Sequence, residues 1–364
     1  MVPEVFEGTE ASDQWQFDQT PGATQALDEH WSTYFTEDDV RLLVSHGINA
    51  IRIPIGYWAY NNSGTPYIQG ADVYLEQAIS WSRTAGIKVI VDLHGAPGSQ
   101  NGFDNSGQQG AVEWQHLSNL VRTSVILQEI ATKYGSLDYA DVVVGVEMVN
   151  EPISWGANQF NITKQWATDI FPALKDAAEN KDLQIIAQDA FMGSRNWLDV
   201  SAILNPNFSS VGTAGFAVDS HYYQVFVEED NQLTQEGHIL KACGWGNDLL
   251  PARIDGLPVY VGEWSSATNI CIHANGTVIP GFTCDAVGCQ CQSSTPIEQW
   301  NELMVEQVRK YVEAQMDVWE QYTSGYFFWS YKGPGGWGFL SGTEKGTIPS
   351  PVTSRLYRPQ CVLR

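Results

Sequence analysis

Basic residues are scarce in this chain. Nineteen Lys and Arg stand against 42 Asp and Glu, a formal net charge of −23 at pH 7. That balance argues against nucleic acid and an anionic membrane surface as partners, because both repel such a protein. Long hydrophobic runs are missing too: none reaches the roughly 18 residues of a membrane span. No low-complexity linker divides the sequence, and no repeat recurs at a period of roughly 20–50 residues. Residues 1–20 are acidic and polar, unlike a signal peptide. Cysteine is absent before Cys243, and Cys284, Cys289 and Cys291 lack paired C-x-x-C spacing, which argues against zinc. No metal or organic cofactor is expected.

What is present points elsewhere. With 364 residues and 43% apolar content, the chain suits one large α/β barrel, read as a single domain over residues 1–364. Aromatics are plentiful, with 14 Trp, 15 Tyr and 14 Phe, many beside polar residues at strand ends. Sugar rings have apolar faces that stack on such side chains. Six cysteines permit three disulfides, and sequons stand at Asn61, Asn161, Asn207 and Asn275. Together these favour a secreted glycoprotein.

Strands and helices alternate. The pattern predicts strands at 48–55, 88–94, 142–150, 183–189, 215–222, 258–263 and 325–331. Helices are expected at 71–85, 114–134, 163–180, 196–204, in a poorly patterned stretch near 232–254, and at 297–322. A closed barrel of this class needs eight strands. Residues 1–35 supply no apolar run, so the first strand is expected to be missing from this chain.

Two glutamates carry the chemical signal. Glu151 follows the apolar run Val142-Val143-Val144-Gly145-Val146, within Val149-Asn150-Glu151-Pro152, and Glu263 closes Pro258-Val259-Tyr260-Val261-Gly262. Buried parallel strands that end in a carboxylate present it at the sheet's C-terminal edge. Two such groups meet the needs of glycosidic bond cleavage, one protonating the leaving oxygen and one attacking or activating water. Pro152 is expected to hold Glu151 in an extended backbone. Arg52 lies inside an apolar run, and reads either as a structural ion pair below the active face or as an orienter of the nucleophile. His94 is followed by a tight Gly95-Ala96-Pro97-Gly98 loop and reads as a sugar-hydroxyl contact. Asn150 suits the sugar 2-hydroxyl. Of His221, Tyr222 and Tyr223, one tyrosine is expected to be core, while His221 and Tyr223 tune the nucleophile. Trp329 ends the last run as a sugar platform. Phe103 and Phe226 lie in loops, where an exposed ring needs something to pack on.

In register, Ile51-Arg52-Ile53-Pro54, Asp92-Leu93-His94-Gly95, Asn150-Glu151-Pro152, His221-Tyr222-Tyr223, Gly262-Glu263-Trp264 and Phe328-Trp329-Ser330-Tyr331 resemble family 5 of the glycoside hydrolases. Within it the chain is similar to the fungal exo-β-1,3-glucanases. The resemblance implies a (β/α)8 TIM barrel and a retaining double displacement, with Glu151 as acid/base and Glu263 as nucleophile. Arg52, His94, Asn150, His221, Tyr223 and Trp329 would shape the terminal-glucose subsite, and Phe103 and Phe226 would grip the next glucose. It implies β-1,3-glucan polysaccharide or oligosaccharide as substrate, a monomer, and a secreted or cell-wall location. It also implies bridges Cys243–Cys361 and Cys271–Cys291, leaving Cys284–Cys289 as a small loop closure. Family members place a signal peptide and a first strand ahead of the segment that resembles residues 2–8. An N-terminally truncated chain without one acidic sugar contact is therefore expected. The other readings are a β-glucan transglycosylase and an inactive glucan-binding wall protein.

Overall fold

The apolar runs form parallel strands separated by helices. The computed structural model describes residues 3–206, 214–357 and 360–361. They fall into two compact units that meet in the sequence at Asp219 and Ser220.

In the first unit, helices α1 (Gln14–Phe17), α2 (Ala23–Thr33) and α3 (Glu37–Ser45) precede any strand. Asp13 caps α1, accepting from Gln16 N at 2.8 Å, and its second oxygen accepts from Gln109 N at 2.8 Å. Phe17, Ala23 and Leu27 form a small core against Val5, Phe6, Trp31 and Ile68. Asp18 beside it is buried, which pushes its carboxyl up to about 6, against the hydrogen bond it accepts from Ile68 N. Thr36 and Asp39 close a reciprocal capping box on α3.

There follow β1 (Ala50–Gly56), α4 (Ala71–Ala85), β2 (Lys88–Gly95), α5 (Leu117–Tyr134), β3 (Val143–Glu147), α6 (Phe160–Ala177), β4 (Gln184–Gln188), α7 (Leu198–Leu204) and β5 (Phe216–Tyr222). The strands pair in parallel in the order β1-β2-β3-β4-β5. Val89, Val91, Leu93, Val143, Val146, Ile185, Ala217 and Val218 are almost wholly buried. Parallel strands covered on both faces read as continuous apolar runs for this reason. A Cβ on Gly95 would come within 2.7 Å of the Ser106 carbonyl oxygen, so only glycine lets that loop close on the end of β2.

The last three residues of β5 belong to the second unit. That unit continues with α8 (Glu228–Asn231), α9 (Gln235–Asp255), β6 (Val259–Trp264), β7 (Ile270–Ile272), β8 (Val278–Pro280), β9 (Gln290–Cys291), α10 (Glu302–Tyr322), β10 (Gly325–Phe328) and α11 (Phe339–Lys345). β6 and β10 pair in parallel, while β8-β7-β9 form a small antiparallel sheet. The bridges are Cys243–Cys361, Cys271–Cys291 and Cys284–Cys289. Buried Glu313 accepts from Leu356 N and Tyr357 N and pairs with Arg309, which fastens the C-terminal segment to α10.

Seven parallel strands stand among the described residues, at the predicted places. The predicted strand 142–150 is shorter, ending at Glu147, although Met148 N still donates to Ile186 O and Asn150 N to Leu93 O. The poorly patterned stretch is a helix of 21 residues, capped by Thr234 at its start and by Gly256 at φ 78° at its end.

Candidate active site

The strand ends of the first unit converge on Arg52. Its side chain is 3% exposed and forks onto Glu147, with Nε to Oε2 at 2.7 Å and Nη2 to Oε1 at 3.1 Å. Nη2 also pairs with Asp92 Oδ2 at 3.0 Å and donates to Asn150 Oδ1 at 2.7 Å. Asp219 Oδ2 lies 3.7 Å from Nε. One guanidinium therefore serves three buried carboxylates. Burial pushes the Glu147 carboxyl well above its usual range; Arg52 opposes this, and Asp92 and Asp219 add to it. Asp92 Oδ2 also lies 2.7 Å from His94 Nδ1 and orients that ring. The ion-pair reading of Arg52 is thus met, and through Asn150 the pair reaches the strand end that carries Glu151.

Glu151 is buried, and its Oε2 accepts from Asn105 Nδ2 at 2.9 Å. Its backbone φ is +45°, not the extended conformation that Pro152 predicts. Gln100 explains the departure. Its Nε2 donates to His94 O at 2.8 Å and Asn150 O at 2.9 Å, and its Oε1 accepts from Ala96 N at 3.0 Å. With the carbonyl of Asn150 fixed this way, the surroundings over-determine the turn at Glu151. Among the described residues the Nδ2 of Asn150 is buried without a hydrogen-bond partner, a donor left over for something else. Phe103 is 39% exposed in the loop after β2.

In the second unit Glu263 is buried, and its Oε2 accepts from the Tyr223 hydroxyl at 2.7 Å. His221 Nδ1 lies 3.6 Å from the same oxygen. Tyr222 is half-buried, and its ring packs on the core residues Trp245 and Trp319. Tyr223 meets Phe226 edge-on at 5.4 Å and Trp337 at 5.3 Å. Phe226 remains 72% exposed. Trp329 directly follows β10, its N donates to Trp264 O at 2.8 Å, and its bond to Ser330 is cis.

The first unit thus links Arg52, Asn150 and, through Asp92, His94, with Glu151 next to Asn150 in the chain, and the second brings His221, Tyr223, Phe226 and Glu263 together, while Phe103 stands in the loop after β2 and Trp329 directly after β10. Residue patterning missed Gln100, which lies in a loop, Asn105, which lies in the short 3-10 turn Asp104–Ser106, and Trp337, which lies in the glycine-rich segment 332–348. It also missed Asp92, Glu147 and Asp219, although a charge within a buried run is the same signal that singled out Arg52. Of the sequons, Asn61 accepts from Arg122 Nη2, Asn275 lies on an exposed turn, and Asn161 borders an apolar cavity of about 390 Å³ with Leu117, Val121 and Trp166. Asn207 lies outside the described residues.

The model of the cellulase family, glycosyl hydrolase family 5, matches residues 13–334. The chain is 38% identical to the glucan 1,3-beta-glucosidase of Candida oleophila over 96% of its own length and 83% of that protein. It is 34% identical to glucan 1,3-beta-glucosidase 2 of Wickerhamomyces anomalus, over 99% and 87%. Among solved structures, rutinosidase from Aspergillus niger is similar with a TM-score of 0.70 at 17% identity, covering 94% of this chain and 91% of that one. The fold is that of the (β/α)8 barrels, with seven parallel strands among the described residues.

Proposed function

The chain belongs to glycosyl hydrolase family 5 and is a glycosidase, and on that premise we propose that it hydrolyses β-1,3-glucan from the non-reducing end, releasing glucose, with residues 1–364 acting as one catalytic domain. Glu151 is the acid/base and Glu263 the nucleophile. Protonated Glu151 gives its proton to the glycosidic oxygen while Glu263 attacks the anomeric carbon, and the C–O bond to the leaving sugar breaks. The ionised Glu151 then takes a proton from water, which attacks the glucosyl ester and restores Glu263. This double displacement requires carboxyl groups about 5–5.5 Å apart.

The observation that carries the roles is the different partner of each glutamate. Glu263 accepts a phenolic hydrogen bond, which favours its charged form, as a nucleophile needs. Glu151 Oε2 accepts from the neutral amide of Asn105, on the strand end where Asn150 Nδ2 is buried with no hydrogen-bond partner among the described residues. That donor suits the sugar 2-hydroxyl, a bond that strengthens in the transition state. Arg52 and His94 position the first unit's contacts, while Trp329, Phe103 and Phe226 supply sugar-stacking faces. The substrate assignment rests on the two glucan 1,3-beta-glucosidases, and the extracellular or cell-wall location on them and on three disulfides.

Glucose release from laminarin tests the reading. Glu263→Gln is expected to abolish turnover while preserving the thermal transition. On 2,4-dinitrophenyl β-glucoside, whose leaving group departs without a proton, azide is expected to rescue Glu151→Ala by forming β-glucosyl azide, but not Glu263→Gln. Retained turnover in Glu263→Gln would remove it as nucleophile. Binding of laminarin without glucose release by the parent chain would mark a binding protein.

A further inference from the structure

Two large rings stand open to solvent at the ends of neighbouring strands. Trp155, in the loop after β3, is 52% exposed, and Phe191, in the loop after β4, is 40% exposed. Their ring centroids are 5.4 Å apart at an interplanar angle of 53°. Met192 beside them is 44% exposed. Scattered single hydrophobics on a surface are ordinary, but a contiguous aromatic pair is a docking feature.

The loops under these rings are built firmly. Phe191 and Ala190 both have φ of +60°, a conformation rare for residues with a side chain. Gln188 Oε1 accepts from Ala190 N at 2.7 Å, Asp189 Oδ1 accepts from Phe191 N at 2.8 Å, and Trp197 Nε1 donates to Asp189 O at 3.1 Å. Asn158 N donates to Trp155 O, and Asn158 Nδ2 donates to Gln100 O, the same glutamine that ties the ends of β2 and β3. Rings held by such turns lose little freedom when they bind.

The position decides the ligand. Trp155 follows Glu151 by four residues, at most about 14 Å of chain. β3 and β4 are parallel neighbours, so both loops leave the same edge of the sheet as Glu151. The acid/base group protonates the oxygen of the leaving sugar, so rings on its own loop lie toward the leaving part of the substrate. We propose that Trp155 and Phe191 form an aromatic platform for glucose units of the leaving portion of a β-glucan chain, beyond the unit next to the scissile bond. This rests on the glucanase reading above and adds a chain-length preference to it.

The experiment compares Trp155→Ala, Phe191→Ala and the double variant with the parent on laminari-oligosaccharides of two to six units. A rise of kcat/KM with length is expected in the parent. The double variant is expected to lose about tenfold on the hexasaccharide, chiefly in KM, and far less on the disaccharide, with Trp155→Phe recovering most of the loss. Equal losses at every length, or none, would overturn the platform. Titration calorimetry of laminarihexaose into Glu263→Gln, with and without Trp155→Ala, gives a separate reading. A parent that releases no glucose sinks the glucanase reading, whereas affinity unchanged by Trp155→Ala sinks the platform.

Discussion

Glu151 stands among amides on a strand end fastened by ion pairs; Glu263 stands among a phenol, an imidazole and aromatic rings. In the first unit the supports are charged and buried: one Arg52 against Asp92, Glu147 and Asp219. In the second they are rings, with Tyr223 packed on Trp337 and Phe226, and the surrounding chain is cross-linked by all three disulfides. A charged support is sensitive to pH and to loss of one partner. A packed and cross-linked support is sensitive to truncation and to reductant. The same task, holding one carboxylate at a strand end, has two physical solutions in one chain.

The largest expected effect comes from breaking the charged side. Arg52→Ala leaves carboxylates buried without their cation, a loss of about 3–5 kcal/mol, to be measured as a lower urea midpoint. A variant as stable as the parent would show that the cluster sheds its charge by protonation. Next is the cross-linked side: Cys243→Ser with Cys361→Ser is expected to cost about 2–4 kcal/mol in guanidinium unfolding. Reductant should then lower the stability of the parent and leave the variant unchanged on this account.

Asp18 sharpens the contrast in pH response. Burial raises its carboxyl from 3.8 to about 6. The folded state therefore binds the proton more tightly than the unfolded state does. The stability this gives is complete below about pH 4 and is lost as pH rises through 6. Asp18→Asn is expected to raise stability at pH 7 by about 1–2 kcal/mol and to flatten the dependence between pH 4 and 6, read by thermal melts across that range. The smallest effect belongs to Tyr223→Phe, about tenfold in kcat/KM. An unchanged kcat/KM would assign Tyr223 to packing alone.

The seven strands were legible because burial on both faces leaves continuous β-branched runs, and both glutamates were legible as charges closing those runs. β7, β8 and β9 were not, since strands of two or three residues carry no alternation. α9 was obscured by Gly237, Gly244, Gly246 and Pro251, although its buried face, His238, Ala242, Trp245, Leu249 and Ala252, keeps helical spacing. Glu151 departed from the conformation its proline predicts because Gln100, fifty residues away in sequence, fixes the preceding carbonyl. Asn105 and Trp337 sit in 3-10 turns of three residues, too short for any periodicity to mark them, and only the folded chain brings each side chain to its partner.

Gln100 has a consequence for how this protein changes over generations. One amide spans the carbonyls of His94 and Asn150, so the two strand ends form a single inherited unit. A substitution that shifts either end alters the fitness of every substitution at the other. Libraries that diversify the ends of β2 and β3 separately will find few improvements that combine, whereas libraries that vary Gln100 together with both will explore the epistasis itself.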